Sequence, residues 1–473
     1  MFFRQYQLGC LSLFSYLVGD ETTGRAVVVD PQRDVSQYLA DADAHGLRIE
    51  RVIETHFHAD FLSGHLELAA ATGAVVSFGE GAQADFPIVP LADGTRLVLG
   101  DVVLEIRATP GHTPESISVV IYEHPDAEPW GVLTGDALFI GDVGRPDLLA
   151  SVGWTPDQLA RRLYRSLRDK LLTLPDATRV YPAHGAGSAC GKSMSDAVVS
   201  TIGEQRLTNY ALAPMSEDAF VDALIQGQSV APLYFAFAAD ANRRGHALLD
   251  DQEPVTLVDL AAVEAECRDG AVLIDGRIPE VFASGHVRGS INVSLDGRFA
   301  EYAGDVARPD QPIVVITDAG RETEAKVRLA RIGFDDVRGA LVDVEAVLAE
   351  HPEIAETARR FPARDLAVWR DEEPDVQVVD VRSPAEQAGG VVPGAVSVPL
   401  PALLERLGEL DPRRAMVVYC AGGYRSSVAA SLLRAHGFER VADILGGFDA
   451  WRAAGLPIEH RRAEPAAADS NGS

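Results

Sequence analysis

The chain has 473 residues, too many for one ordinary hydrophobic core, so we expect two to four domains. Hydrophobic residues make up 47% and charged residues 24%, which is typical of folded globular proteins. Acidic residues outnumber basic ones by 70 to 42, and a formal net charge of −28 makes binding to nucleic acid unfavourable.

The first residues and the cysteines predict the cellular setting. No apolar run approaches the ~20 residues that span a bilayer, so we expect no membrane segment. The start, "MFFRQYQLGCLSLFSYLVGD", lacks the basic region and cleavage site of a signal peptide, and we interpret it as the first strand of the fold. Four scattered cysteines are too few for a disulfide framework, so a reducing cytoplasm is the expected location.

Residues 1–245 are predicted to alternate strands, short helices and loops. After two strands come the helical "DVSQYLADADAHG", the buried strand "IERVIETHF" and the helix "LSGHLELAAATG", which Gly73 ends. Several strands follow over 88–125, then "WGVLTGD", a charged helix at about 156–174, and "RVYPAHGAG". Histidines and aspartates keep following strands, where loops collect functional groups on a rigid scaffold.

The second half carries an internal repeat. The segment "VLIDGRIPEVFASGHVRGSINVSL" (272–295) matches "QVVDVRSPAEQAGGVVPGAVSVPL" (377–400) at an offset of 105 residues. Each copy alternates strands with helices, which predicts two α/β domains with parallel sheets, at 252–350 and 360–462. The polar end, 463–473, is predicted to be a disordered tail.

Six candidate metal ligands occur in turns of the first domain. They are His56, His58 and Asp60 in an H-x-H-x-D loop, His112 in "PGHTPES", Asp136 in "TGDALF", and His184 in "YPAHG". Imidazole and carboxylate ligands suit zinc and iron. A single histidine is more often an ordinary core or surface residue, but this ordered set predicts a metal site.

The order of these motifs closely resembles the metallo-β-lactamase superfamily over roughly residues 1–240. The stretch "TGDALFIGDVGRPDL" is similar to persulfide dioxygenases within that superfamily, and "SACGKSMSDAVVSTIGEQRLTNYAL" resembles the segment that follows in fusions with rhodanese domains. The resemblance implies an αββα sandwich with a metal at the sheet edges. It assigns a facial triad for one Fe(II) per chain to His56, His112 and Asp136.

Phe61 bears on the number of metal ions. The resemblance matches His58, Asp60 and His184 to the second metal site of hydrolytic relatives, which usually have a histidine where Phe61 stands. Loss of that histidine weakens a two-zinc centre and favours one iron. The three remaining residues are then expected to orient ligands and hydrogen-bond water or substrate, or to be inherited architecture without a catalytic role.

Two further candidates border the predicted metal site. Arg145, in "GDVGRPD", can bind a substrate carboxylate or phosphate, or form an ion pair with Asp142 or Asp147. Cys190, in "SACGKS", can relay sulfur from the metal pocket or serve as a small buried hydrophobic residue. Both alternatives stay open in each case.

The loop "CAGGYRSS" (420–427) follows a buried strand and opens a helix, and it resembles the active loop of rhodanese sulfurtransferases. Backbone N–H groups made accessible by Gly422 and Gly423, the helix N-terminus and Arg425 all favour a thiolate at Cys420. The same donors stabilise a persulfide on Cys420. The first copy reads "TDAGRET", with Asp318 or Thr317 in place of the cysteine, so we expect a degenerate domain with a structural role.

Taken together, the resemblance implies an enzyme that uses Fe(II) and O₂ to oxidise a thiol persulfide of glutathione, bacillithiol, mycothiol or coenzyme A to sulfite. Cys420 would then transfer sulfane sulfur between sulfite and thiosulfate, in sulfide detoxification. The alternative is a Zn-dependent thioester hydrolase of the glyoxalase II type with an appended sulfurtransferase. A scaffold in which only Cys420 is active is a third interpretation. The resemblance also implies a homo-oligomer.

Overall fold

The computed structural model describes residues 1–148, 153–372 and 375–460. The predicted tail at 463–473 lies outside the described residues. In the part that is described, no helix is long and apolar enough to cross a membrane.

The first half contains two six-stranded sheets that follow each other in sequence. Strands β1 to β6 pair in chain order, first antiparallel and then parallel from β3 onward. Their bounds are Phe2–Leu8, Leu13–Asp20, Arg25–Val29, Arg48–Ile53, Val75–Gly79 and Val89–Leu91. The N-terminal segment therefore forms an antiparallel hairpin of β1 and β2, where we expected one strand.

The second sheet has the order β12-β11-β10-β9-β8-β7 and is antiparallel except between β10 and β11. Its strands, from β7 to β12, are Arg96–Val98, Val103–Ala108, Ile117–Tyr122, Gly131–Gly135, Arg179–Pro182 and Ser200–Thr201. Helices α1 to α6 are Ser36–Ala44, His65–Thr72, Pro156–Ser166, Ile202–Thr208, Glu217–Ile225 and Phe235–Arg244, and a π-helical turn, Leu167–Leu171, extends α3.

Alternating apolar residues on the strands explain how these layers stack. Val29 and Ile53 of the first sheet pack against Leu104 and Ile121 of the second in one buried cluster. The outer face of the first sheet is covered by α1 and α2, and that of the second by α3 and α5. The predicted αββα sandwich is confirmed.

The second half consists of two parallel sheets with helices around them. In the first copy the strand order is β15-β13-β16-β17, and β14 pairs with β18 separately. Strands β13 to β18 are Val272–Asp275, His286–Val287, Ile291–Asn292, Ile313–Ile316, Val337–Leu341 and Ala355–Glu356. Helices α7 to α11 are Leu260–Arg268, Pro279–Ser284, Phe299–Val306, Glu322–Ala330 and Val344–Glu350.

The second copy has the all-parallel order β19-β23-β22-β20-β21. Strands β19 to β23 are Arg359–Pro362, Gln377–Asp380, Val396–Ser397, Met416–Tyr419 and Val441–Leu445. Helices α12 to α16 are Ala363–Glu372, Pro384–Gln387, Leu400–Leu403, Tyr424–Ala435 and Gly447–Ala453. The predicted parallel sheets are confirmed; the domain boundaries stay a prediction.

The three regions share buried apolar contacts. One cluster joins Phe61 and Cys190 of the first half to Phe299 of the first copy and Cys420 of the second. Gly304 in α9 faces the ring of Tyr234, where an added Cβ would lie 2.2 Å from a ring carbon. Tyr234 also donates a hydrogen bond to the backbone carbonyl of Asp60 at 3.1 Å, so its side chain connects the first copy to the loop that carries Asp60.

Candidate metal centre and sulfur-transfer site

The predicted metal ligands meet at one edge of the sandwich. His56 follows β4, His112 follows β8, Asp136 follows β10 and His184 follows β11. All four side chains are at most 1% exposed. Gly144 lies so close that an added Cβ would be 2.1 Å from the carbonyl oxygen of Asp136, so a larger residue there would displace the loop that covers the site.

Hydrogen bonds fix which nitrogen of each imidazole carries the proton. His112 Nδ1 lies 2.8 Å from the carbonyl oxygen of Arg145, and His184 Nδ1 lies 3.3 Å from that of Ser12. Because a carbonyl can only accept, both Nδ1 atoms carry hydrogen and both Nε2 atoms offer lone pairs. Nδ1 of His56 bonds to the Thr55 hydroxyl at 3.0 Å, which leaves its Nε2 free.

These lone pairs point at carboxylate oxygens. The Nε2 atoms of His56 and His112 lie 3.9 and 3.4 Å from Asp136 Oδ2, and His184 Nε2 lies 3.4 Å from Asp136 Oδ1. The Nε2 atoms of His56 and His184 and both Asp136 oxygens have no hydrogen-bond partner among the described residues. Opposed acceptors repel each other when buried, so the arrangement fits a cation between them.

Burial explains why this cluster needs that cation. Loss of solvation raises the pKa of Asp136 and of Asp60 to about 6 each. The same loss lowers the pKa of His112 to about 4 and that of His56 well below its ordinary value. A bound metal ion would stabilise neutral imidazoles and ionised carboxylates together.

His58 is placed differently from the other ligand candidates. Its donor atoms form a possible metal group with those of Asp60 and His184, all within 4.8 Å. However, its Nε2 lies 3.1 Å from Asp30 Oδ1 and 3.4 Å from Glu54 Oε2. Burial lowers the pKa of His58, but these carboxylates outweigh burial and hold that pKa well above its ordinary value. The ring lies beside that of Phe61, with 4.3 Å between centroids and a tilt of 44° between the ring planes.

Arg145 forms the ion pair that was one of its two predicted roles. Its Nε and Nη2 each lie 2.7 Å from a carboxylate oxygen of Asp147, and other guanidinium hydrogens go to the carbonyls of Ala189 and Ser229. With the side chain only 2% exposed, little of it is available to a substrate. Its backbone carbonyl orients His112 instead.

Cys190 borders the metal ligands. Its sulfur and single ligand atoms of Asp136 and His184 lie within 4.8 Å of one another, and the residue is 1% exposed. Burial, followed by the Asp60 and Asp136 charges, raises the pKa of its thiol well above the ordinary value. The position fits both predicted alternatives, relay and packing.

The Cys420 loop has the geometry expected of a sulfur carrier. The Gly423 N–H donates to Cys420 Sγ at 3.1 Å, and Gly423 has a φ of 98°, which lets the chain turn into α15 at Tyr424. Arg425 forms a forked ion pair with Glu386, at 2.8 and 2.5 Å. Burial raises the pKa of Glu386, but the Arg425 pair outweighs it and holds the value at about 2.

The matching loop of the first copy lacks this arrangement. Thr317 directly follows β16 as Cys420 directly follows β22, so of the two predicted replacements it is Thr317 that occupies the cysteine position. Arg321 is paired with Asp296 and Glu324, each at 2.8 Å. No thiol is present to receive sulfur.

Comparisons with known proteins agree with this geometry. The model of the metallo-β-lactamase superfamily matches residues 8–78 and 76–184, and that of the rhodanese-like domain matches 259–339 and 364–454. "Persulfide dioxygenase ETHE1, mitochondrial" from Bos taurus is 34% identical over 235 residues, covering 49% of this chain and 83% of that protein; the Homo sapiens protein of the same name matches to the same extent.

The chain belongs to the persulfide dioxygenase family of the metallo-β-lactamase superfamily. Two rhodanese-like domains follow the dioxygenase domain, so the predicted fusion is confirmed, and both predicted activities have their homologous domains in the chain. A solved structure named metallo-beta-lactamase, from Staphylococcus aureus subsp. aureus COL, superimposes with a TM-score of 0.66 at 33% identity. It covers 72% of this chain and 98% of that one.

Two cavities adjoin the sites of this persulfide dioxygenase family member. One, of about 420 Å³, lies beside His112 and is lined by aromatic side chains, including Phe57, Trp154 and Phe235, with Arg243 at its rim. The other, of about 400 Å³, is lined by residues of all three domains, including Arg425. Sequence reasoning missed both, because their walls come from segments far apart in the chain.

Proposed function

We propose that the dioxygenase domain holds one Fe(II) with His56, His112 and Asp136 and oxidises a thiol persulfide to sulfite. The balanced reaction is RSSH + O₂ + H₂O → RSH + H₂SO₃, in which the outer sulfur is oxidised and O₂ accepts its four electrons. In the second activity, Cys420 exchanges sulfane sulfur between sulfite and thiosulfate. Together these steps would remove sulfide-derived sulfur.

One observation carries the metal assignment: buried acceptor atoms of two imidazoles and one carboxylate oppose each other at 3.4 to 3.9 Å. Two histidines and one carboxylate are the ligand set of non-haem Fe(II) oxygenases. Phe61 occupies the place of a further ligand and is 1% exposed, so a buried apolar ring stands where a second metal ion would need a donor atom. When bound, Fe(II) supplies electrons and open coordination positions for O₂ chemistry.

The remaining groups act on ligands and substrate. The Arg145 and Ser12 carbonyls hold His112 and His184 in the tautomer that keeps Nε2 unprotonated. The aromatic cavity beside His112 would exclude water around the reacting sulfur and accept the thiol carrier. Its mixed lining does not distinguish glutathione, bacillithiol, mycothiol and coenzyme A, and all four stay candidates.

At Cys420, the sulfite sulfur lone pair would attack the outer sulfur of Cys420–S–S⁻. A new sulfur–sulfur bond forms in thiosulfate, the bond to Cys420 breaks, and its electron pair stays on Sγ. The Gly423 N–H already donates to Sγ at 3.1 Å and would stabilise that thiolate. The reverse reaction loads Cys420 from thiosulfate.

We assign Cys190 the relay role between the two sites: its thiol would take the outer sulfur of the substrate persulfide with release of RSH, and would then pass that sulfur to the Cys420 thiol and return to Cys190–SH. Its sulfur lies beside Asp136 and His184, while its chain neighbours Ala189 and Gly191 line the cavity that also contains Arg425. Cys190→Ser should lower thiosulfate formation from persulfide and O₂ severalfold, while thiosulfate:cyanide transfer through Cys420 stays near the wild-type rate. If Cys190→Ser matched the wild-type rate in both assays, Cys190 would be a packing residue.

The metal assignment is tested by anaerobic purification with metal analysis, followed by O₂ uptake with a thiol persulfide. We expect about one iron per chain and persulfide-dependent O₂ consumption. His112→Ala should lose both, whereas the exposed His124→Ala should lose neither.

The second candidate function is zinc-dependent thioester hydrolysis, which the intact group of His58, Asp60 and His184 favours. Two zinc ions per chain with thioester hydrolysis and no O₂ uptake would establish it and overturn the dioxygenase proposal. Cytoplasmic location and homo-oligomer formation stay proposals as well. Fractionation of the native cell and light scattering of the purified chain test them.

A further inference from the structure

The degenerate rhodanese-like domain supplies one wall of the cavity above the active loop of its neighbour. Arg298, Glu301, Tyr302 and Asp305, on α9 and the residue before it, line the 400 Å³ cavity opposite Arg425. The dioxygenase domain supplies a third wall through Gly187 to Lys192. A domain whose own active loop has no cysteine thus reaches the sulfur-transfer site through a helix.

Two groups on this wall have unused hydrogen-bonding capacity. Asp305 is 1% exposed, and neither carboxyl oxygen has a hydrogen-bond partner among the described residues. Arg298 pairs with Glu301 through Nε only; within the described ranges its two Nη groups take part in no hydrogen bond or ion pair. A buried unpartnered carboxyl and a free guanidinium face would cost free energy if nothing bound there.

At this wall the first rhodanese-like copy lies close to the dioxygenase domain and to the active loop. An added Cβ at Gly187 would lie 2.3 Å from Arg298 Nη1, so the guanidinium packs against the backbone of the dioxygenase domain, at a glycine whose φ of 93° disfavours other residues. Tyr424 of the active loop donates a hydrogen bond to the Ser294 carbonyl at 2.7 Å and ties that loop to the degenerate domain. The first copy therefore contacts both the dioxygenase domain and the active loop at this wall.

The charge of the cavity indicates the class of ligand. Arg298, Arg425 and Lys192 are cationic, against the acids Glu301 and Glu386. Burial, with the neighbouring Glu301 charge, raises the pKa of Asp305 well above its ordinary value, which favours the protonated carboxyl that can donate a hydrogen bond. A small dianion with several acceptor oxygens matches a guanidinium edge and an O–H donor.

We propose that the degenerate domain completes a binding site for sulfite and thiosulfate above Cys420, with the Arg298 Nη groups and the Asp305 carboxyl as its ligands. The inference rests on the proposed sulfur transfer and deepens it. It gives the domain without an active-loop cysteine a place in the reaction: it holds the oxyanion that accepts or delivers sulfur.

Kinetics of a preloaded persulfide test this site. The full-length holoenzyme is loaded at Cys420 with thiosulfate, and discharge is then measured against sulfite or against cyanide, which is too small to need an oxyanion site. We expect Arg298→Leu to raise the sulfite concentration for half-maximal discharge about tenfold, since it removes one charge-assisted forked contact. Cyanide discharge should change less than twofold. Arg288→Leu is the matched control, an exposed arginine of the same domain paired with Glu356.

Two substitutions of Asp305 distinguish a loss of sulfite binding from a loss of folding. Asp305→Asn keeps a neutral donor of the same shape and should retain sulfite discharge within about threefold, whereas Asp305→Leu should weaken it as Arg298→Leu does. Unchanged sulfite dependence in Arg298→Leu, or an equal loss with sulfite and cyanide, would overturn the proposal.

Direct binding distinguishes this inference from the proposed function. Anaerobic calorimetric titration of sulfite into the Cys420→Ser holoenzyme needs no sulfur transfer. Binding that is lost in Cys420→Ser/Arg298→Leu supports the site even if the wild-type chain transfers no sulfur. Equal binding by both variants counts against the site even if sulfur transfer is confirmed.

Discussion

The two rhodanese-like domains share a scaffold and differ in one loop. In the first copy Arg277 Nη2 lies 2.6 Å from Asp275, and in the second Arg382 Nη2 lies 2.7 Å from Asp380. In both, the arginine donates a further hydrogen bond to the carbonyl of a glycine eight residues after it, Gly285 or Gly390. The buried pair thus belongs to the fold and is retained where the cysteine is not.

The loops after β16 and β22 differ in the residues that sulfur transfer needs. The second copy has a cysteine, left-handed Gly423 and an N–H directed at Sγ. The first has Thr317, whose buried hydroxyl oxygen has no hydrogen-bond partner within the described residues, and a loop one residue shorter. A domain can therefore lose its reactive atom and keep its packing, which leaves its surface free for another role.

The largest expected effect concerns the reactive atom itself. Cys420→Ser should abolish thiosulfate:cyanide transfer, by at least about a thousandfold, because a hydroxyl does not form a persulfide at neutral pH. Persulfide-dependent O₂ uptake should stay largely intact, as its ligands lie in the other domain. Thr317→Ala is the matched change in the first copy and should leave both rates within twofold. If O₂ uptake vanished in Cys420→Ser, the division of labour would be wrong.

The equivalent arginines of the two copies, Arg425 and Arg321, should also differ in their effect on sulfur transfer. The difference should be smaller than that between Cys420 and Thr317. Arg425, in the same loop as Cys420, lines the cavity shared by the three domains, whereas Arg321 is held by Asp296 and Glu324 in a loop without a cysteine. Arg425→Leu should slow sulfur transfer about ten- to a hundredfold, since one charge that favours the thiolate and the persulfide is lost. Arg321→Leu should change it less than twofold. Iodoacetamide alkylation of Cys420 at neutral pH gives a second readout, and equal alkylation rates in the two variants would contradict this assignment.

The fold and ligands were predictable because each is encoded locally. Each metal-ligand candidate follows a strand within a short motif, and the repeat at an offset of 105 residues placed both parallel sheets. The hairpin of β1 and β2 was missed because "LGCLSL" has no marked turn beyond Gly9. The roles of Arg298 and Asp305 were out of reach for a different reason. They depend on how three domains pack, and no local pattern distinguishes them from ordinary helix residues.

A smaller effect is expected for the acid that holds Arg425. The pKa of Glu386 is about 2 in the folded chain, below its ordinary value of 4.5, so its ionised form stabilises the fold. That stabilisation is fully present above pH 4.5 and is lost as the pH falls toward 2. Glu386→Gln should lower the free energy of unfolding by about 1 kcal/mol at pH 7 and by much less at pH 2.5.

Urea unfolding followed by tryptophan fluorescence measures this difference. Glu324→Gln, which weakens the Arg321 pair of the first copy, is the control and should cost under about 0.5 kcal/mol because that pair is more exposed. A difference between wild type and Glu386→Gln that stays constant from pH 7 to pH 2.5 would show that the ion pair does not cause it.

The smallest expected effect tests most directly what separates the two rhodanese-like copies. Thr317→Cys places a thiol at the position equivalent to Cys420, on a scaffold with the same buried Asp–Arg pair. We expect it to add no measurable sulfur transfer in a Cys420→Ser background. The loop is one residue short, its Gly320 N–H donates to Glu322 at 2.8 Å, and Arg321 stays bound to two carboxylates. Cyanolysis of protein-bound sulfane sulfur measures the outcome. Transfer restored to even a tenth of the wild-type rate would mean that the cysteine alone separates the two copies, and that loop geometry contributes little.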